Sequence, residues 1–369
     1  LVVELVRGAT LRKLLKERAP LPPEIAAAIA IDVLAALSHA HGEGVIHRDV
    51  KPENVLIEHR PPRGEGETPT SGKISDRVAV KLTDFGIAKL LDAQGVTSTG
   101  QVLGSPAHMA PEQIEGGEVD ARADVFGAGV MLYESLVGHL PFQGANPAQV
   151  LRRVLDGQYP AADVERPEVG KRLSTILDRA LAHDPADRFA STEAMQAELS
   201  AELLRVGVES PARELEAYFD DPDGYAIDHK KRTIAKLCEL AQEARIEGRA
   251  LDAAADYNRA LAYAPDDPQL LRIVVNLQRD EARARTLRRA GPLALATIAV
   301  CALAYFLTQT LKARTQHRQP VATASAAPTA TTSASAAPSA TLATTSTATA
   351  TATVTATATA TATAATTAT

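Results

Sequence analysis

The sequence predicts an α+β fold in which helices dominate, followed by a smaller helical unit, one apolar helix and a disordered tail. Three observations carry this. Short β-branched runs at 1–6, 54–57 and 78–82 alternate with longer Ala- and Leu-rich segments of helical period, punctuated by Gly and Pro. Residues 290–311 contain no charged side chain, and beyond Gln319 the chain is nearly all Ala, Thr, Ser and Pro.

A globular, mainly helical unit is expected over residues 1–205. Its clearest helix is 23–41: Pro23 and Glu24 open it, Ile25, Ile29, Val33, Leu34 and Leu37 follow at 3.6-residue spacing, and it stops near Gly42. Residues 60–77 are polar and rich in Pro and Gly, so they read as an exposed loop between two strands. A linker is expected over 206–229. The 230–280 region is helical again, and Leu237, Leu240, Ala241, Gly248, Ala254, Tyr257, Ala260, Leu261 and Pro265 resemble one tetratricopeptide unit. An ordinary amphipathic hairpin accounts for that spacing equally well.

Residues 290–311 would reach about 33 Å as a helix, enough for a hydrocarbon core of about 30 Å. Arg283, Arg285, Arg288 and Arg289 precede the run, and Lys312, Arg314 and Arg318 follow it. These flanks favour a single membrane span over a buried helix. The 320–369 tract carries no charge and too little apolar bulk to offset the entropy of ordering, which predicts a flexible stalk.

Composition excludes several function classes. The formal charge of −6 argues against nucleic acid as a partner, because phosphate binding needs a basic face. Only Cys238 and Cys301 are present, far apart, which excludes a disulfide framework or a Cys-based zinc site. The chain opens at Leu1 inside an apolar run, without an initiator Met or a signal peptide, and so reads as part of a longer protein.

The chemistry-bearing residues lie in three short motifs: His47-Arg48-Asp49-Val50-Lys51-Pro52-Glu53-Asn54, then Asp84-Phe85-Gly86, then Ala110-Pro111-Glu112. Each alone is a weak signal; together, in this order, they are not accidental. The sequence resembles the catalytic lobe of the protein kinase family, and more closely the membrane-anchored bacterial Ser/Thr kinases of eukaryotic (Hanks) type. The resemblance covers about residues 1–205, beginning at the hinge.

It implies roles residue by residue. Asp49 would orient or accept the proton of an attacking hydroxyl, Lys51 would place a positive charge beside the γ-phosphate, and Asn54 and Asp84 would hold Mg²⁺, or Mn²⁺ in its place. A Lys two residues after the Asp matches the Ser/Thr subclass. Glu4 to Val6 match the hinge that reads the adenine edge of ATP, Val3 the gatekeeper and Leu56 the floor beneath the adenine; an apolar core strand would contain Val3 and Leu56 as well. Arg48 implies control by phosphate on the activation segment, where Thr97 and Thr99 are the candidate sites. Asp124 matches the helix carboxylate that anchors the catalytic loop, and Arg188 the partner of Glu112. Ser105 stands where relatives usually carry Thr, and His108 where an aromatic hydroxyl is usual.

The family's glycine-rich loop, strand lysine and helix glutamate do not occur in residues 1–369. The stretch reads as hinge and C-terminal lobe alone, expected to be inactive by itself. The resemblance further implies ATP and protein substrates as partners, a homodimer for trans-autophosphorylation, and a single-pass protein of the cytoplasmic membrane with its kinase domain inside and its tail outside. A pseudokinase or scaffold that docks partners through the lobe and helical unit is the alternative; intact Asp49, Lys51, Asn54 and Asp84 speak against it.

Overall fold

The computed structural model describes residue 6 and residues 8–60, 77–85 and 106–316, without the side chains of 278, 280–296 and 311–316. Glu4, Thr97, Thr99, Val3 and Ser105 lie outside the described residues, as do the 61–76 part of the polar loop and the 320–369 tail. Residues 1–294 form one compact unit.

A small antiparallel sheet holds β1 (Gly8–Thr10), β2 (Val55–His59) and β3 (Val78–Leu82) in that spatial order. Its register pairs Leu56 with Thr10 on one side and Lys81 on the other, and continues from Val55↔Leu82 to His59↔Val78. The strand expected at 1–6 lies, but for residue 6, outside the described residues; β1 at 8–10 begins where Gly8 permits a close approach, since a Cβ there would meet the Ile57 carbonyl oxygen at 2.0 Å.

Helices build the rest. α1 (Leu11–Arg18) starts where the Thr10 hydroxyl accepts the Lys13 N–H at 3.2 Å. α2 (Pro23–Gly42) coincides with the helix expected at 23–41, and Pro23 at its first position costs no hydrogen bond. Then come α3 (Pro111–Glu115), α4 (Arg122–Val137), α5 (Pro147–Asp156), α6 (Ala162–Glu165), α7 (Gly170–Ala180) and α8 (Thr192–Arg205). α4 is buried from Ala123 to Leu136, and α2 packs on α4, α8 and β3. Helices this rich in apolar residues bury most of their surface, and these two form the centre of the core.

The 206–229 stretch, expected as a linker, is largely helical. α9 (Pro211–Asp220) and α10 (Pro222–Ile246) each begin at a capping residue followed by proline: Ser210 accepts the Arg213 N–H, and Asp221 accepts the Gly224 N–H at 3.0 Å. Leu215, Tyr218, Tyr225 and His229 are buried, so the stretch belongs to the core. α10 packs on α11 (Ala250–Tyr263) across the turn at Gly248, with Leu237, Ala241, Ala253 and Ala260 fully buried between them. Small residues let the two backbones approach closely.

α12 (Pro268–Gln316) includes the apolar run. Among its described side chains Ile298, Val300, Leu303, Tyr305, Phe306 and Leu307 are 52–68% exposed. Among the described residues α2 is the helix long and apolar enough to cross a membrane, but it is mostly buried and serves as a core helix; Thr297–Thr310 of α12 is a shorter apolar stretch.

Candidate active site

The site grows from the turn between α2 and β2. Residues 47–49 follow no regular element, so their backbone N–H groups need partners from elsewhere. Asp124, in the first turn of α4 and 1% exposed, provides them: its Oδ2 accepts the His47 N–H at 2.8 Å and its Oδ1 accepts the Arg48 N–H at 2.7 Å. His41 Nε2, at 2.7 Å from the same Oδ2, supplies a further contact from the last turn of α2. A buried carboxylate satisfied by three groups is held firmly and holds them in turn.

Arg48 sits at φ +64°, a left-handed conformation costly for a residue with a Cβ. The Asp124 contact to its N–H and the Gln113 side chain, which donates to its carbonyl at 3.0 Å, hold it there. Gln113 also accepts the Ala110 N–H at 2.9 Å, a third-position side chain reaching back to its own helix start. The helix after Ala110-Pro111-Glu112 is thereby tied to the 47–54 loop. Gly127 lets α4 pass close by, since a Cβ there would stand 3.0 Å from the Val50 Cβ.

His47 is fully buried and connects two motifs. Its Nδ1 accepts the Asp49 N–H at 3.3 Å and its Nε2 donates to the Thr83 carbonyl at 3.0 Å, which selects the tautomer protonated on Nε2. Its ring lies 4.7 Å from that of Phe85, centroid to centroid. Thr83 also binds Asn54, donating to its carbonyl from the backbone at 2.9 Å and from the hydroxyl at 3.2 Å. The residue preceding Asp84 is therefore tied to both ends of the 47–54 loop. Asp84 itself is exposed at φ +56°.

Asp49, Lys51 and Asn54 come together directly. Lys51 Nζ donates to Asp49 Oδ2 at 2.6 Å, and Asn54 Nδ2 donates to the Asp49 carbonyl at 2.8 Å and to Oδ2 at 3.2 Å. Two acceptors facing Nδ2 fix which way the Asn54 amide points, and Oδ1 has no hydrogen-bond partner among the described residues. The anchored Asn54 amide oxygen and the exposed Asp84 carboxylate are hard oxygen donors of the kind that Mg²⁺ takes.

Glu112 and Arg188 pair bidentately at 2.8 Å through both nitrogens. Arg188, fully buried in its side chain, also donates to the carbonyls of Ala182, His183 and Arg122, and its guanidinium lies 5.0 Å over the Phe126 ring. Every charge in that pair is satisfied, as burial demands. His108 is buried, with its Nε2 3.7 Å from Glu134. Leu56 and Val6 are half-buried.

Sequence reasoning missed His41, Gln113 and Arg12. Arg12 of α1 binds Glu53 at 2.7 Å beside the catalytic loop and pairs with Glu134 of α4. Gln113 had a signal in its position three residues after Ala110; His41 and Arg12 had none, since their partners are distant in sequence.

Residues 1–200 match the protein kinase domain family. The chain belongs to the protein kinase family. Among curated relatives of this kinase, PknL of Mycobacterium tuberculosis, a serine/threonine-protein kinase, is 41% identical over 201 residues, covering 54% of this chain and 46% of that protein. Serine/threonine-protein kinases pkn3 of Myxococcus xanthus and PrkC of Bacillus subtilis are 38% and 34% identical, covering 54% of this chain and 36% and 28% of theirs. The chain thus spans less than half the length of these relatives. The solved kinase domain of Mycobacterium tuberculosis PknI is 27% identical with a TM-score of 0.39, covering 54% of this chain and 63% of that one.

Proposed function

We propose that the protein transfers the γ-phosphoryl group of ATP to serine and threonine hydroxyls of proteins, from a single-pass anchor in the cytoplasmic membrane. The observation that carries this reading is the Asp49–Lys51–Asn54 cluster, joined through Thr83 to the segment bearing Asp84.

Phosphoryl transfer asks a protein chiefly for positioning and charge neutralisation. Lys51 and Asn54 fix the Asp49 carboxylate, which orients the substrate hydroxyl in line with the phosphorus and receives its proton. Lys51, half-exposed beside it, offers positive charge to the transferring group. Mg²⁺ held by Asn54 Oδ1 and Asp84 would neutralise charge on the phosphate oxygens. Val6 and Leu56 present half-buried apolar surface suited to the adenine. Arg48 has a buried Nε without a partner among the described residues, which suits pairing with a phosphate carried on Thr97 or Thr99. The exposed apolar stretch of α12 and its basic flanks support the membrane span.

The test uses two substitutions in the full-length protein. Asp49→Asn should abolish phosphoryl transfer and leave nucleotide binding intact, whereas Asp84→Asn should also weaken Mg²⁺-dependent binding. Residues 1–369 supplied alone, without the phosphate-contacting glycine loop and lysine, should show no measurable transfer. Transfer that survives Asp49→Asn would overturn the reading.

A further inference from the structure

Asn54 and Asp84 approach the site from the two ends of one hairpin, β2–β3. In a tight hairpin the turn itself sets register and splay. Here residues 61–76 separate Arg60 from Arg77 in sequence. Another element holds the far end of the ladder.

α9 does so. Asp220 Oδ1, near its C-terminus, accepts His59 Nε2 of β2 at 3.1 Å and also pairs with Arg77, the residue entering β3. One carboxylate oxygen thus joins both strands from a third element. Glu216, one turn earlier, accepts the Arg77 backbone N–H at 3.3 Å, and the Phe219 ring lies 5.9 Å from that of His59. Arg60 N–H donates to the Arg77 carbonyl at 2.8 Å in the same place. α9 is itself a firm base, because its Leu215 and Tyr218 are buried at 1% and 3% exposure.

We infer that Asp220 is a positioning residue for the Asn54/Asp84 pair: it staples the open end of β2–β3 and so sets the alignment in which the two ligands meet Mg²⁺. The ladder transmits the restraint. His59↔Val78 leads through each successive pair to Val55↔Leu82 and then to the Thr83–Asn54 hydrogen bonds. Because strand pairing is discrete, a slip at one end misplaces the other. The inference deepens the kinase reading above and rests on it.

The contacts are half-exposed, at 37% for Asp220, 31% for His59 and 27% for Arg77, so the effect is moderate. In the full-length protein, binding of a non-hydrolysable ATP analogue is titrated with Mg²⁺. Asp220→Ala should raise the Mg²⁺ concentration for half-maximal binding about three- to tenfold. Binding without Mg²⁺ should not change, and hydrogen exchange should quicken at the amides of Val55–His59 and Val78–Leu82. The exchanged pair Asp220→Arg with Arg77→Asp regains the contact to β3 but not the one to His59, so it should recover part of the shift in the Mg²⁺ midpoint, which also decides the matter if Asp220→Ala proves unstable. An unchanged midpoint in Asp220→Ala, beside a clear shift in Asp84→Asn, would overturn the staple and leave the kinase reading standing. No shift in Asp84→Asn would overturn both.

Discussion

Replacing Arg259 by methionine strikes the buried ion network that joins the helical unit to the lobe. Arg259, 3% exposed in α11, donates through Nη2 to Glu24 Oε1 at 2.7 Å and through Nε to the Glu168 carbonyl at 2.8 Å. Glu24, 2% exposed at the start of α2, also holds His229 Nε2 of α10 at 2.6 Å. Burial alone would raise the Glu24 pKa, but Arg259 and His229 outweigh it and keep the carboxyl well below its usual range. The substitution therefore strands a charged, buried Glu24 with His229 alone. The chain cannot relax freely around the gap, since Gly170 at φ +77° packs onto the Arg259 stem so closely that a Cβ there would lie 2.5 Å from its Cδ.

Breaking such a pair by removing one partner costs about 3–5 kcal/mol. At about 2–4 °C per kcal/mol for a unit of this size, the melting midpoint should fall by roughly 6–20 °C. The assay is thermal unfolding of a chain ending at residue 294, followed by circular dichroism. Removing both charges with Glu24→Gln and Arg259→Met should cost less than the sum of the single changes, by more than about 1 kcal/mol. Glu24 keeps its depressed pKa only in the folded state, so its contribution is complete above pH about 5 and fades in acid. A two-step melt in which the lobe unfolds at its original midpoint would refute the reasoning and make α9–α11 a separately tethered module.

Two further outcomes follow from other parts of the chain. Asp32 of α2 is pushed up to about 6 by burial, so its folded pKa exceeds its unfolded one and stability is lost as pH rises through that interval; Asp32→Asn should raise the melting midpoint at pH about 8, with the gain vanishing near pH 4. A reporter fused after residue 320 should act outside the cytoplasmic membrane if residues 290–311 cross it once, and cytoplasmic activity of that reporter would eliminate the single span.

Local sequence carried the side-chain contacts within residues 49–54, because they join near neighbours. Lys51 and Asn54 meet Asp49 two and five residues away, and α2 announces its own limits through Pro23 and Gly42. The helical start signals of α9 and α10 were equally local: Ser210-Pro211 and Asp221-Pro222 are present in a polar stretch that composition alone presents as a linker. Their burial was not legible there, since Leu215, Tyr218 and Tyr225 are too few to give a strong period.

Other decisions belonged to the tertiary structure. The types at 24, 229 and 259 are ordinary helix residues in sequence, and His41 and Arg12 look like surface charges. Only when α2 meets α10 and α11 do Glu24, His229 and Arg259 share one buried site, with Glu24 and Arg259 separated by 235 residues along the chain. Asp220 likewise becomes a staple only because α9 lies across the end of β2–β3. Motif spacing determines which groups a single loop can gather, because a few backbone angles fix their separation. Which buried charge finds which partner is settled by the faces that pack, where desolvation makes an unpaired charge too costly to keep.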